Sequence, residues 1–201
     1  MKLKIVQVGE TVLRTGARAL TSDEIRSAQI RELIEHMRET LRDAPGVGLA
    51  APQIGLPLQL AVIEDKAEYQ ATFSEAELCQ RERKPVPFHV LVNPQLTLLS
   101  APDVVFFEGC LSLAGFTAIV PRALRVAVDA LNHAGETIHV EASGWYARIL
   151  QHEIDHLRGT LYIDRMRSRS FSSLDNYNRH WKAKSHDELL REFGSLEAPA
   201  A

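Results

Sequence analysis

The sequence predicts an α+β fold, with antiparallel or mixed β-sheets packed around a central helix and further helices towards the N- and C-terminal ends. Three observations predict it. Apolar residues recur at helical spacing in two segments, near 22–42 and 145–157. Short strand-like runs linked by turn residues lie between them and do not alternate with helices as a βαβ series would. At 201 residues, 45% of them hydrophobic, the chain is long enough to bury one core without staples.

The first helix rests on Ile30, Leu33, Ile34, Met37 and Leu41, an apolar stripe at i, i+3, i+4, i+7 and i+11. Thr21 and Glu24 have capping-box spacing at its start, and Pro45-Gly46 ends it. A glycine-rich loop follows, Gly46 to Gly55, and then a buried strand, Leu58 to Ile63. Residues 65–87 are polar and close on Pro85 and Pro87, which marks a surface excursion with a helical turn near 74–82. Strands are expected at Phe88–Val92, Gln95–Leu99, Val104–Phe107, Leu124–Ala130 and Thr137–Glu141, the last two joined by a hairpin turn at Asn132-His133-Ala134-Gly135. The second helix, 145–157, stops at Gly159, a good C-terminal cap. The tail is polar from Ser168, with a helix near 173–193 and a frayed end at Glu197–Ala201. We therefore expect one main domain over 1–170 and a C-terminal extension over 171–201.

Composition excludes several classes. Cys79 and Cys110 are too few for a disulfide framework, so a reducing, cytoplasmic setting is expected. The 26 acidic and 23 basic residues leave a net charge of −3, which argues against a general nucleic-acid coat protein. The longest apolar runs fall far short of the ~20 residues that span a bilayer, so no membrane role is expected. The start, Met1 to Gln7, has neither a sustained apolar core nor a cleavage site, so no secretory signal or transit peptide is read there.

Chemistry concentrates in three segments. His152-Glu153-Ile154-Asp155-His156 is an H-E-x-x-H motif on the second helix. One turn separates the two histidines, so both imidazoles leave one face and can share a metal ion. Glu153 borders that face, placed to act as a general base without ligating the metal. Ala147, Leu150, Ile154 and Leu157 form the apolar back that anchors the helix. A hydrolytic site needs a third ligand and an open position. Cys110, in Glu108-Gly109-Cys110-Leu111-Ser112 just after a strand, is one candidate; His180 and His186 lie downstream in the polar tail, off the spacing of a three-histidine motif. Gly46-x-Gly48-x-x-Ala51 follows a helix and precedes a strand, the reverse of a dinucleotide fingerprint. Gly48 suits close approach of another backbone, such as a peptide substrate, and Gln53 offers an amide donor nearby.

Taken together, Gly46-Val47-Gly48-Leu49-Ala50-Ala51-Pro52-Gln53, Glu108-Gly109-Cys110-Leu111-Ser112 and Gln151-His152-Glu153-Ile154-Asp155-His156 resemble, in order and spacing, the three signatures of the peptide deformylases. The resemblance covers roughly residues 3–170. It implies removal of the formyl group from the formyl-methionine of nascent chains, releasing formate. It implies that Cys110, His152 and His156 bind the metal, that Glu153 moves the proton, and that the Leu111 N–H and the Gln53 amide are oxyanion donors. The metal so implied is ferrous iron in the cell, with zinc, nickel or cobalt able to take the same site. The substrate backbone would add as a strand along Gly46, Val47 and Gly48 and along Leu113, Ala114 and Gly115. Its methionine side chain would enter a pocket of Val47, Trp145, Ile149 and the stem of Arg148.

Many bacterial members continue Cys-Leu-Ser with Ile-Pro, whereas this chain has Leu113-Ala114-Gly115-Phe116. With Gly144-Trp145 and Arg165-Met166-Arg167-Ser168-Arg169, that variant is similar to the mitochondrial-type branch; without a presequence, a bacterial member of it is expected. An ion pair between Glu108 and Arg122 is expected to hold the cysteine strand. The basic stretch Arg165–Lys184, with Asp175 its one acid, would suit docking on ribosomal RNA. The rival reading is an H-E-x-x-H endopeptidase with another third ligand, which Cys110→Ala would spare.

Overall fold

The structure, a computed structural model, describes residues 1–193. After a short 3-10 turn at Thr11–Arg14, α1 (Ser22–Arg26) starts in the expected capping box, the Thr21 hydroxyl and the Glu24 carboxylate each accepting the other residue's N–H. Ser27 then takes an extended conformation and accepts from the N–H of Ile30, capping α2 (Ala28–Asp43). The one helix expected over 22–42 is therefore two, because a serine hydroxyl competes for the backbone donors.

The remaining elements are β1 (Gly48–Ala50), β2 (Leu60–Asp65), α3 (Glu75–Gln80), β3 (Val86–Leu98), β4 (Val104–Gly109), β5 (Phe116–Arg122), β6 (Arg125–Leu131), β7 (Thr137–Ser143), α4 (Gly144–Leu157), β8 (Ser172–Ser173), α5 (Leu174–His180) and α6 (His186–Phe193). Leu58, expected at the head of a strand, makes only an isolated bridge to Arg18. The two runs expected at 88–92 and 95–99 are one strand, β3, irregular at Asn93, whose side chain bonds both the N–H and the carbonyl of Leu20 at 2.9 Å. β5 was not anticipated. The tail holds two helices, α5 and α6, where one was expected; residues 197–201 lie outside the described part.

A five-stranded antiparallel sheet runs in the order β1-β2-β3-β6-β7, and a three-stranded one in the order β4-β5-β8. Alternation along β2 explains the layers. Leu60 and Val62 join Val90 and Val92 beneath Ile30, Ile34, Met37 and Leu41 of α2. Ile63 and Leu91 face the other way, onto Ala147, Leu150 and Ile154 of α4. Covered on both sides, β2 is buried at every position, which is why it reads as a continuous apolar run. α4 thus lies against the large sheet, and its opposite side meets β4 and β5 of the small one.

Not all of the 65–87 excursion is surface. α3 begins in a Ser74–Glu77 capping box at the expected turn, but Asp65, Gln70 and Arg83 are buried. Among the described residues, no helix is long and apolar enough to cross a membrane.

Candidate metal centre

Helix α4 and the end of β4 bring Cys110, His152 and His156 together. One ligand atom from each lies within 4.8 Å of the others, and Cys110 Sγ is 3.2 Å from His156 Nε2. One sulfur and two imidazole nitrogens form a donor set suited to zinc or another first-row ion. His180 and His186, on α5 and α6, are not part of the cluster. His152 Nδ1 is 3.0 Å from Glu108 Oε2, a contact that fixes the ring and leaves Nε2 for the metal side.

Glu108 is the hub of a buried charge network. Arg122 donates to both of its oxygens at 3.0 Å, so the expected ion pair is present, and Arg148 Nη1 adds a third bond at 2.6 Å. Arg122 also reaches Asp155, which accepts two further bonds from Arg165 at 2.7 and 2.8 Å. Burial alone would raise the Glu108 carboxyl, but Arg122 and His152 hold it well below the usual carboxylate range. Glu108 and Cys110 sit two apart on the same stretch of chain, so both side chains reach the same side towards α4.

Glu153 is 3% exposed, and among the described residues its Oε2 has no hydrogen-bond partner. Burial pushes its carboxyl up to about 7. A Cβ on Gly48 would lie 2.2 Å from Glu153 Oε1, so the glycine makes room for this carboxylate. That steric reason differs from the peptide approach read at Gly48 from the sequence. Gln53 Oε1 accepts from the N–H of Ala50 at 2.9 Å, which turns its amide nitrogen towards Cys110 Sγ, 3.5 Å away. The Leu111 carbonyl accepts from Gln7, and the Cys110 sulfur from the N–H of Ser112.

Gln53, Glu108, Cys110, Leu111, His152 and Glu153 open onto one cleft of about 910 Å³. Gly46, Val47, Gly48, Leu113, Ala114, Gly115, Trp145, Arg148 and Ile149 all line it. β1 is an edge strand of its sheet, so its outer side is free to pair. The Arg148 head is not available to a ligand: it is spent on Glu108 and on the carbonyls of Val120 and Val104.

The family model for polypeptide deformylase matches residues 2–172. The chain belongs to the polypeptide deformylase family. It is 47% identical over 172 residues to the chloroplastic peptide deformylase 1A of Solanum lycopersicum, covering 86% of this chain and 62% of that protein. Peptide deformylase 3 of Streptomyces avermitilis is 41% identical over 192 residues, 96% of this chain and 84% of its own. Among solved structures, a class I type b peptide deformylase from Acinetobacter baumannii with Met-Ala-Ser bound superposes with a TM-score of 0.73 at 29% identity, covering 83% of this chain and 99% of that one. The chain thus spans just under two thirds of the length of the plant deformylases it matches.

Two parts of this site were not legible in the sequence. One is the continuation of the expected Glu108–Arg122 pair through Asp155 to Arg165; the Asp within the H-E-x-x-H motif was its one local signal. The other is the contribution of Tyr69, Phe73 and Arg83, which line the cleft from the polar excursion. Of the basic stretch, Arg165 is engaged with Asp155, Arg167 donates to the Phe193 carbonyl, and Lys184 is 3.5 Å from Glu188.

Proposed function

We propose that the protein hydrolyses the formamide of formyl-methionine at the start of nascent chains, releasing formate and a free amine. The observation that carries this reading is a Cys110/His152/His156 donor set beside the buried Glu153, whose carboxylate has no partner among the described residues, at one peptide-sized cleft. The solved relative with Met-Ala-Ser bound supports a peptide beginning with methionine as the ligand.

Cys110, His152 and His156 would hold the metal, ferrous iron in the cell, with zinc, nickel or cobalt compatible with the same sulfur and nitrogen donors. A divalent ion held there supplies Lewis acidity towards the formyl carbonyl and makes water easier to deprotonate. Glu153 takes the proton from the attacking water and later delivers one to the leaving amine, and a pKa near neutrality suits both directions. The Gln53 amide and the Leu111 N–H donate to the oxygen on which charge develops; losing one such donor costs ~10²–10³ in rate. The substrate backbone pairs along Gly46, Val47 and Gly48 and along Leu113, Ala114 and Gly115. Its first side chain lies among Val47, Trp145, Ile149 and the Arg148 stem. The setting is the cytoplasm, with Arg165–Lys184 the surface offered to the ribosome, carried chiefly by Arg169, Arg179 and Lys182.

The test is formate release from formyl-Met peptides by the Fe(II)-loaded protein, with Glu153→Ala as control. Activity should fall by at least ~10²-fold in the variant while the metal is retained. No turnover above that control would overturn the reading.

A further inference from the structure

The excursion after β2 is built as a wall, not as a loop thrown out to solvent. Asp65 is fully buried and accepts two bonds from Arg83, at 2.8 and 2.9 Å. Burying such a pair costs desolvation on both partners, which a purely connecting loop has no reason to incur. A second tie runs to the metal helix: the Trp145 N–H donates to the Arg81 carbonyl at 2.8 Å. Gly144 sits at φ +60, and a Cβ there would lie 2.4 Å from the Glu82 Cβ, so the turn at Arg81-Glu82 rests directly on the start of α4. The Arg83 guanidinium then covers the Phe73 ring at 4.8 Å and the Trp145 ring at 5.3 Å, and Arg81 lies over the same two rings at 5.5 and 5.9 Å, so two cations of the excursion bridge Phe73 to the start of the metal helix.

We infer that Phe73, held under the guanidinium of the Asp65–Arg83 pair, and its neighbour Tyr69 form the outer wall of the pocket for the side chain next to the formyl group, and so determine specificity for that side chain. This deepens the deformylase reading and rests on it. Phe73, Tyr69 and Arg83 line the same cleft as Val47, Trp145 and Ile149, which the functional reading assigns to that side chain. Val47, Tyr69, Phe73, Trp145 and Ile149 are apolar or aromatic, and the two arginines that line the cleft, Arg83 and Arg148, are already paired with Asp65 and Glu108. The wall therefore fits an uncharged, extended chain and gives nothing to an acidic one. A flexible thioether against aromatic rings is a favourable filling for such a space.

The experiment compares formyl-Met, formyl-norleucine and formyl-Ala tripeptides on wild type, Phe73→Ala and Phe73→Leu. If the ring touches the long side chain, Phe73→Ala lowers kcat/KM for the Met and norleucine substrates about fivefold to tenfold, through KM. The Ala substrate, too short to reach the wall, changes less than twofold, and Phe73→Leu falls between. Equal losses on all three substrates would mean a structural role only and would overturn the proposal, as would no change on any. Calorimetric binding of Met-Ala-Ser and Ala-Ala-Ser to the same metal-loaded proteins reads the wall without turnover. If wild type releases no formate, the deformylase reading fails. The wall still stands if Phe73→Ala weakens Met-Ala-Ser binding selectively, and falls if it does not.

Discussion

Helix α2 meets the large sheet through Ile30, Ile34, Met37 and Leu41, whereas α4 meets the opposite face of the same sheet through Ala147, Leu150 and Ile154. The two apolar contacts are alike; the far sides of the helices are not. The outer side of α2 is solvated and carries surface pairs such as Arg38 with Glu35. The outer side of α4 is buried against β4 and β5 and carries Arg148, His152 and Asp155 onto Glu108 and Arg122. One helix is held chiefly by hydrophobic burial, with polar ties only at its rim. The other adds a charge network that is a liability for stability and fixes the orientation of His152, a proposed metal ligand.

The sharpest way to break this contrast is to remove Arg122. Arg122→Ala would leave Glu108 and Asp155 as buried carboxylates short of a cation and should cost about 3–5 kcal/mol in urea unfolding. Because Glu108 also positions His152, metal affinity measured by chelator competition should fall by roughly 10–100-fold in whatever protein stays folded. Retention of metal at the wild-type level would mean that the network is structural and does not serve the site.

The matched change on α2 is Met37→Ala. Met37 is fully buried in an apolar cluster, so truncation should cost roughly 3 kcal/mol, from lost transfer energy plus the cavity left behind. Stability would fall almost as far as for Arg122→Ala, yet chelator competition should be unchanged. A drop in metal affinity here would show that loosening either face disturbs the site, and would erase the distinction between the helices.

The same contrast decides what was legible in the sequence. α2 and the apolar back of α4 follow from period alone, and His152, Glu153 and His156 from spacing within one helix. Cys110 entered through local context and family likeness, since its partners are more than forty residues away. β5 was unreadable as a strand because Pro121 and Arg122 break its pattern. The structure accommodates Pro121 where β8, paired only at Phe116 and Thr117, no longer runs alongside, and Arg122 is paid for by carboxylates on two other elements. Asp65 and Arg83 looked like ordinary surface charge for a similar reason: a pair 18 residues apart leaves no period, so its burial, and with it the role of Phe73, appears only in three dimensions.

The smallest expected effect tests the solvated end of α2. Arg42 bonds both oxygens of Glu64 at 2.7 Å, with the arginine partly exposed and the carboxylate mostly covered. Arg42 is the main reason the Glu64 carboxyl lies below its usual value. A carboxyl depressed in the folded state stabilises above its unfolded pKa, and that contribution is lost as pH falls through the folded value. Solvent screening of the arginine limits the pair to at most about 1 kcal/mol. Thermal unfolding of Glu64→Gln should therefore lie slightly below wild type at pH 7. The gap should narrow as pH falls below the ordinary glutamate value and close once it has passed the lower folded value, where wild type is itself protonated. A gap that does not narrow at all as pH falls would assign the loss to packing of the covered carboxyl, and α2 would then depend on its polar rim more than the apolar stripe implies.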